Sequence, residues 1–95
     1  MKKHLVISGK VQGVGFRYWL QRLAIEKNIC GWVKNKTSGD VEALIVGEKK
    51  EIQELIKLCE MGPSSAKIDY VQINDYNKDY IKKKFDIIKS DKISI

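Results

Sequence analysis

The sequence predicts an α+β domain in which two helices cover one face of an antiparallel sheet. Three observations support this prediction: short apolar segments rich in β-branched residues, two longer segments with apolar residues at helical spacing, and turn-forming residues between them. The chain has 95 residues, a length that suits one domain spanning residues 1–95 with one continuous core.

The predicted elements follow the order β-α-β-β-α-β, with one short strand after them. In the first helix, apolar residues at i, i+4, i+7 and i+8 form one face, and Asn28 suits the left-handed residue that ends it. The second helix has the same period and ends before Gly62-Pro63. The predicted bounds are, in chain order, strand His4–Ser8, helix Phe16–Asn28, strands Cys30–Lys36 and Val41–Val46, helix Glu48–Met61, and strands Ile68–Ile73 and Phe85–Ile88.

This order of elements is the split β-α-β, or ferredoxin-like, pattern of an α/β sandwich. In that pattern strands one and two run parallel with strand three between them, and we expect the fifth strand at an edge. The loop after strand one and the turn after strand two then lie at the same end of the sheet, about 10 Å apart. Side chains from both connections can therefore converge on one small anion.

The composition excludes several classes of protein. No run of eighteen apolar residues is present, and Met1-Lys2-Lys3 leads into a strand without an apolar leader, so we expect a cytoplasmic protein with no membrane partner. The net charge of +6 favours an anionic partner. Sixteen of the basic residues are scattered lysines, typical of a solvated surface, whereas Arg17 and Arg22 are the only arginines. Arginine is the residue suited to two-pronged phosphate contact.

The sequence offers no pattern of metal ligands. Cys30 and Cys59 are too few and too far apart for a zinc site or a disulfide framework, and we expect two free thiols. No carboxylate cluster has the spacing that binds Mg²⁺, so no metal and no other cofactor is predicted. The single histidine, His4, is predicted at the far end of strand one from the loop, as a surface residue rather than a base.

The segment from Gly9 to Arg17 carries three glycines between a strand and a helix. Helix N-termini present unpaired N–H groups and partial positive charge, and glycines let neighbouring N–H groups point at one anion. No Gly-Lys-Ser/Thr follows, and Tyr18 stands where a dinucleotide fingerprint needs its third glycine. A glycine-rich turn without a ligand is the alternative. As a phosphate-binding loop, the segment would use Gln12, Gly13, Val14, Gly15, Phe16 and Arg17.

Asn35 is a second candidate site residue, because it ends the second strand at the same end of the predicted sheet as the loop. Its amide has both a donor and an acceptor, which suits the orientation of a water molecule. Asparagine near a turn is also a common turn former, and that interpretation stays open. Neither cysteine lies in the loop, so a cysteine-phosphate intermediate is not expected.

Three separated motifs resemble those of the acylphosphatase family. The loop Val11–Arg17 (Val-Gln-Gly-Val-Gly-Phe-Arg) resembles the family's signature loop, and Gly31–Asn35 (Gly-Trp-Val-Lys-Asn) resembles its second motif. A similar hairpin follows at Gly39–Glu42, and Gly62-Pro63 with Ala66 resembles the third landmark. The likeness covers roughly residues 5 to 73, and it implies a ferredoxin-like fold with five strands.

The resemblance implies roles for two residues: Arg17 as the catalytic arginine that binds the phosphoryl group, and Asn35 as the residue that orients the attacking water. Lys34 departs from the family pattern, where arginine is frequent. We therefore expect an acylphosphatase that hydrolyses small acyl phosphates to a carboxylate and inorganic phosphate. We expect phosphate to be both product and competitive inhibitor, and the enzyme to act as a monomer without nucleic acid.

Two other functions are consistent with parts of the pattern. An RNA recognition motif has the same architecture and a basic charge, but it stacks bases on aromatic residues of its central strands. The predicted strands His4–Ser8 and Val41–Val46 contain no Phe, Tyr or Trp. A phosphate-binding or carbamoyl-transfer domain of a larger enzyme is the other alternative, disfavoured because no further domain follows before Ile95. Turnover of a synthetic acyl phosphate would separate the three.

Overall fold

The chain folds as two helices packed on one face of a five-stranded sheet, which confirms the predicted ferredoxin-like fold. The structure, a computed structural model, describes residues 1–91. Its elements are β1 (Lys2–Lys10), α1 (Phe16–Glu26), β2 (Cys30–Asn35), β3 (Val41–Val46), α2 (Lys49–Met61), β4 (Lys67–Asp75) and β5 (Phe85–Ile87). The strand order is β4-β1-β3-β2-β5. Neither helix in this part of the chain has the length and apolar character needed to cross a membrane.

α1 ends as a Schellman motif. Asn28 has φ of 55°, the left-handed conformation predicted for it, and its N–H donates to the Ile25 carbonyl at 3.1 Å. The N–H of Ile29 reaches back to the Ala24 carbonyl at 2.8 Å. These two bonds satisfy carbonyls that the last helical turn would leave unpaired. The helix therefore ends at Glu26, two residues before the predicted end.

β1 and β4 are both longer than the apolar pattern predicts. They pair antiparallel from Lys3 opposite Asp75 to Lys10 opposite Lys67, with an irregularity between Ser8 and Gly9. Ladder hydrogen bonds come from the backbone, so polar residues at the strand ends extend the pairing where a partner strand is present. The length of these two strands is thus set by their tertiary pairing.

β3 pairs antiparallel with both β1 and β2, so β1 and β2 run parallel on either side of it, as predicted. β5 pairs parallel with β2, and the sheet is therefore mixed, whereas the sequence predicts an antiparallel sheet. The connection from β4 explains the direction of β5. It crosses the end of the sheet where β1 and β2 begin, with Lys2 Nζ donating to the Lys78 carbonyl at 2.7 Å and Tyr80 Oη to the Gly31 carbonyl at 3.2 Å. The chain consequently enters β5 beside the start of β2 and runs in the same direction.

The core lies between the helices and one face of the sheet. Alternate strand residues point into it, and each helix contributes three fully or almost fully buried side chains at i, i+3 or i+4 spacing. Burying each large apolar side chain contributes roughly 1.5–3 kcal/mol. The core side chains are Leu5, Ile7, Val11, Phe16, Leu20, Ala24, Ile29, Val33, Val41, Ala43, Ile45, Ile52, Leu55, Cys59 and Phe85.

The other face of the sheet carries a polar network centred on His4, which is only half-buried there. His4 Nε2 lies 2.5 Å from Glu42 Oε2, and Asn74 Nδ2 lies 3.3 Å from His4 Nδ1. A neutral imidazole with its proton on Nε2 satisfies both contacts. Lys34 Nζ joins the network at 3.5 Å from Glu42 and 2.7 Å from Asp91, and the hydrogen bond that it donates to Asp91 raises the pKa of Lys34. His4 is thus part of a cross-strand cluster rather than an isolated surface residue.

The two cysteines lie on opposite faces of the sheet and both are free thiols. Cys59 is fully buried in the core, and desolvation by burial raises the pKa of its thiol to about 12. Cys30 shares the face of Trp32, because it alternates with the buried Gly31 in β2, and it is only partly buried.

A thiol titration at pH 8 should therefore distinguish the two cysteines. In the native protein we expect one thiol, Cys30, to react with an aromatic disulfide reagent, because the thiolate is the reactive form and Cys59 stays protonated and covered. In denaturant we expect two. The Cys30→Ser variant should show no rapidly reacting thiol before unfolding and one after. Two rapid thiols in the native protein, or none after unfolding, would contradict this arrangement.

Candidate active site

The glycine-rich loop connects β1 to α1 at one end of the sheet. The buried side chains of Val11 and Phe16, both at most 2% exposed, anchor its two ends in the core. Between them Gly13 and Gly15 adopt φ of 73° and 77°, a conformation that L side chains rarely adopt. A Cβ at either position would meet no atom within 4 Å. The glycines are thus required by the backbone conformation, and the space above them is open.

The N-terminus of α1 is uncapped. Gly15 is the N-cap residue, no side chain caps the helix, and the first turn has no acidic residue. The first intrahelical hydrogen bond runs from Trp19 N to the Gly15 carbonyl at 3.1 Å, so the preceding N–H groups of Phe16, Arg17 and Tyr18 have no partner within the helix. Together with the helix dipole, these groups favour an anion at this position.

Arg17 adds a full positive charge to the same helix end. It is the second residue of α1 and half-buried. Among residues 1–91 its guanidinium makes no ion pair, although six ion-pair contacts occur elsewhere in that part of the chain. A partly desolvated guanidinium without a carboxylate partner is suited to bind an anion from solution.

Asn35 lies on the helix-side face of the sheet, where it follows the buried Val33 at the end of β2. It pairs with Val41, which in turn pairs with Ile7, so the row spans two strand spacings, about 10 Å, from β1 to Asn35. The Oδ1 atom of Asn35 is buried and has no hydrogen-bond partner in residues 1–91. It makes no bond to the turn at residues 37–39, which counts against a turn-forming role. A buried polar atom without a partner is uncommon and requires an explanation.

Two side chains hold the loop in place from opposite sides. Gln12 Nε2 donates to the carbonyls of Lys36 and Asp40, both at 2.8 Å, and Ser65 Oγ donates to the Val14 carbonyl at 2.8 Å. The sequence identifies Gln12 only as a member of the loop, because the two carbonyls lie on a distant hairpin. Nothing in the sequence relates Ser65 to a loop that lies 51 residues earlier.

Three lysines surround the same end of the sheet. Lys10 and Lys67 lie directly opposite each other where β1 and β4 pair, and Lys36 immediately follows Asn35. In the described part of the chain none of the three forms an ion pair. Their charges add to the positive potential that the helix N-terminus and Arg17 produce.

Two concavities of several hundred Å³ lie away from the loop. One of about 400 Å³ is lined by Glu26, Lys27 and Glu51 near the C-terminus of α1, and another of about 360 Å³ is lined by Cys30, Lys84 and Phe85. Within residues 1–91 no three His, Cys, Asp or Glu side chains are grouped to hold a metal ion. The loop instead combines open space above Gly13 and Gly15 with a helix N-terminus that carries Arg17 in its first turn, an arrangement suited to a small anion.

The fold and this loop define a class of protein: a small α+β domain with a glycine-rich loop at a helix N-terminus suited to bind a phosphoryl group. A model of the family described as acylphosphatase matches residues 3–87. The acylphosphatase of Nitrobacter hamburgensis is 44% identical over 70 residues, which are 74% of this chain and 71% of that protein. The chain therefore belongs to the acylphosphatase family, whose function is the hydrolysis of acyl phosphates, as the sequence motifs imply.

Solved structures agree with this membership. The crystal structure of acylphosphatase from Bacillus subtilis has a TM-score of 0.87 and 30% identity, covering 92% of this chain and 97% of that one. Full-length HypF, solved in a phosphate- and nucleotide-bound form, has a TM-score of 0.85 and 33% identity, covering 95% of this chain and 12% of that one. The same fold thus occurs both as nearly a whole protein and as a small part of a longer one.

Proposed function

We propose that this chain hydrolyses small acyl phosphates at the loop of residues 12–17, with Arg17 binding the phosphoryl group and Asn35 orienting the attacking water. The observation that carries this proposal is the buried Oδ1 of Asn35, which has no hydrogen-bond partner among residues 1–91. It lies at the same end and on the same face of the sheet as an uncapped helix N-terminus. An anion site and a buried acceptor without a partner are together what a bound phosphoryl group and its water require.

The phosphoryl group is held by charge and by backbone donors. In this proposal the N–H groups at the start of α1 bind a phosphoryl group that lies between Gly13 and Arg17. The guanidinium of Arg17 supplies two further donors in one plane. These groups are fixed before the substrate binds, so they stabilise charge that develops on the phosphoryl oxygens without reorganising. We assign the phosphate-binding role to the backbone of Gln12, Gly13, Val14, Gly15, Phe16 and Arg17, together with the guanidinium of Arg17.

The attacking water is held by Asn35. Oδ1 accepts one hydrogen of the water, and the water's lone pair is then directed toward phosphorus. As the new P–O bond forms, the P–O bond to the acyl carboxyl breaks, and the leaving oxygen takes the bonding electron pair as a carboxylate. Because the conjugate acid of that group has a pKa of about 4, it leaves without a general acid. The proton of the water passes to a phosphoryl oxygen, which gives inorganic phosphate.

The shallow site contacts the phosphoryl group and leaves the acyl chain in solvent, so we propose that several small acyl phosphates serve as substrates. Inorganic phosphate occupies the same donors and acts as a competitive inhibitor. We propose that residues 1–95 act as one monomeric domain, without a cofactor, nucleic acid or membrane. The free thiols of Cys30 and Cys59 suit a reducing compartment, and we assign the enzyme to the cytoplasm.

Release of inorganic phosphate from acetyl phosphate tests the activity directly. We expect turnover in a buffer that contains a chelator and no added metal, with competitive inhibition by inorganic phosphate. A phosphate monoester with an alkyl leaving group should be a poor substrate, because an alkoxide needs a general acid that the site does not provide. Binding of phosphate without turnover of acetyl phosphate would instead indicate a phosphate-binding domain.

The Arg17→Gln variant should lose turnover and phosphate inhibition together. Losing one charge-assisted contact costs on the order of 1.5–3 kcal/mol in phosphate binding, and more in the transition state, where charge develops on the oxygens. The measurements are kcat/KM for acetyl phosphate and the inhibition constant of phosphate. The matched control is Arg22→Gln, which removes the same charge from an exposed position of the same helix. If both variants had equal effects, Arg17 would act only through the general positive potential of the protein and not by direct contact with phosphate.

The Asn35→Ala variant should lose turnover while phosphate inhibition and the fold are retained. Misplacing the water should lower kcat by about 10²–10³-fold. The free energy of unfolding should stay the same or rise, because the variant removes a buried acceptor that has no partner in the described part of the chain. Denaturant midpoints and kcat are measured on the same samples, with the exposed Asn77→Ala as the control. A large fall in midpoint with kcat per folded molecule preserved would make Asn35 a structural residue.

A further inference from the structure

Gln12 connects the two halves of the site that the proposed function requires. Its backbone belongs to the phosphate-binding loop, whereas its side-chain amide lies on the β2–β3 hairpin, where both hydrogens of Nε2 are donated to main-chain carbonyls at 2.8 Å. One of these carbonyls belongs to Lys36, the residue after Asn35. Two hydrogen bonds from a single side chain thus join the loop to the hairpin that directly follows Asn35.

The hairpin does not need Gln12 for its own closure. Lys36 N donates to the Asp40 carbonyl at 2.9 Å, and Gly39 N donates to the Lys36 carbonyl at 3.1 Å. Both carbonyls that Gln12 contacts therefore have a backbone partner already, and each uses its second lone pair for the glutamine. Loss of the Gln12 amide would leave neither carbonyl without a hydrogen bond. The two hydrogen bonds from Gln12 therefore act mainly to fix the distance between the loop and the hairpin.

The loop has a second tether that does not involve the hairpin. Ser65, in the connection between α2 and β4, donates its hydroxyl hydrogen to the Val14 carbonyl at 2.8 Å. This bond holds the middle of the loop from the opposite side, and among residues 1–91 no hydrogen bond links Ser65 to Asn35. The two tethers therefore offer a comparison, since both hold the same loop and only one of them reaches toward the water-binding residue.

We propose that Gln12 is a positioning residue that sets the separation between the bound phosphoryl group and the water on Asn35, a step that rests on the proposed function. Gln12 acts on the rate of attack through Asn35 and contributes little to the affinity for phosphate. Ser65 holds the shape of the loop and acts on affinity. The phosphoryl group contacts backbone N–H groups of the loop, because both side-chain N–H bonds of Gln12 are already used.

The first test compares Gln12→Met with the parent protein. Methionine keeps the length of the side chain and removes its donors. We expect kcat for acetyl phosphate to fall about tenfold to a hundredfold, the loss typical of a misplaced reacting group, with the phosphate inhibition constant changed by less than about twofold. Ser65→Ala should raise KM and the phosphate inhibition constant together. Gln21→Met is the control, because Gln21 makes the same type of bond to the Phe85 carbonyl at 3.0 Å, away from the loop.

The second test is a double-mutant cycle with Asn35→Ala. If Gln12 acts through Asn35, then Gln12→Met in the Asn35→Ala background should lower kcat by no more than about twofold further. Gln12→Asn, whose amide is one methylene too short to reach both carbonyls, replaces Gln12→Met if the methionine variant does not fold. A full, independent loss of kcat in the Asn35→Ala background would overturn the proposal, as would parallel losses of kcat and phosphate inhibition in Gln12→Met alone.

These results separate this inference from the proposed function. If Asn35→Ala keeps its kcat, the assignment of the water to Asn35 fails, whatever the Gln12 variants do. If Asn35→Ala loses kcat as expected and Gln12→Met keeps it, the assignment to Asn35 stands and the positioning role of Gln12 is wrong.

Discussion

The antiparallel register of β3 against β1 and β2 is the constraint on which the rest of the structure depends. It aligns Ile7, Val41 and Asn35 in one row across the sheet, so that a connection leaving β1 and a connection leaving β2 meet at one end. Successive residues of a strand point to opposite faces, so a slip of one residue would move Asn35 to the face that carries His4. The apolar alternation in the three strands resists such a slip, because it would expose the core side chains. The packing of the core thus also fixes the geometry of the site.

The sequence predicts the elements well and their long-range contacts poorly. Helical and strand periods locate every element, and the left-handed Asn28 is found from residue type alone. The parallel direction of β5 depends on where the chain crosses the sheet, which no local pattern records. The sequence predicts His4 as a surface residue because its partners Glu42 and Asn74 lie on strands far along the chain.

The features of the candidate site likewise fall into two groups, those that the sequence predicts and those that only the folded chain shows. The loop residues and Asn35 could be proposed from their positions after strands, and the family motifs strengthened both assignments. The contacts of Gln12 and Ser65 could not be predicted, because each joins a side chain to a main-chain carbonyl far along the chain. Every residue type has such a carbonyl, so the sequence does not identify the acceptor. The lack of a partner at Asn35 Oδ1 is likewise a property of the folded chain. Within residues 1–91 that atom has no hydrogen bond, a cost of about 1–3 kcal/mol that function rather than stability would justify.

The uncapped start of α1 has a consequence for how the enzyme would respond to acidity. The proposed site uses backbone N–H groups, one guanidinium and one carboxamide, and none of these changes its protonation state between about pH 4 and pH 10. The single histidine lies on the opposite face of the sheet, bound to Glu42. Any rise or fall of activity across that range would therefore report ionisation of the substrate phosphate or loss of the fold. The proposed site would therefore keep its own charge in acidic and alkaline surroundings alike, for as long as the sheet behind it stays intact.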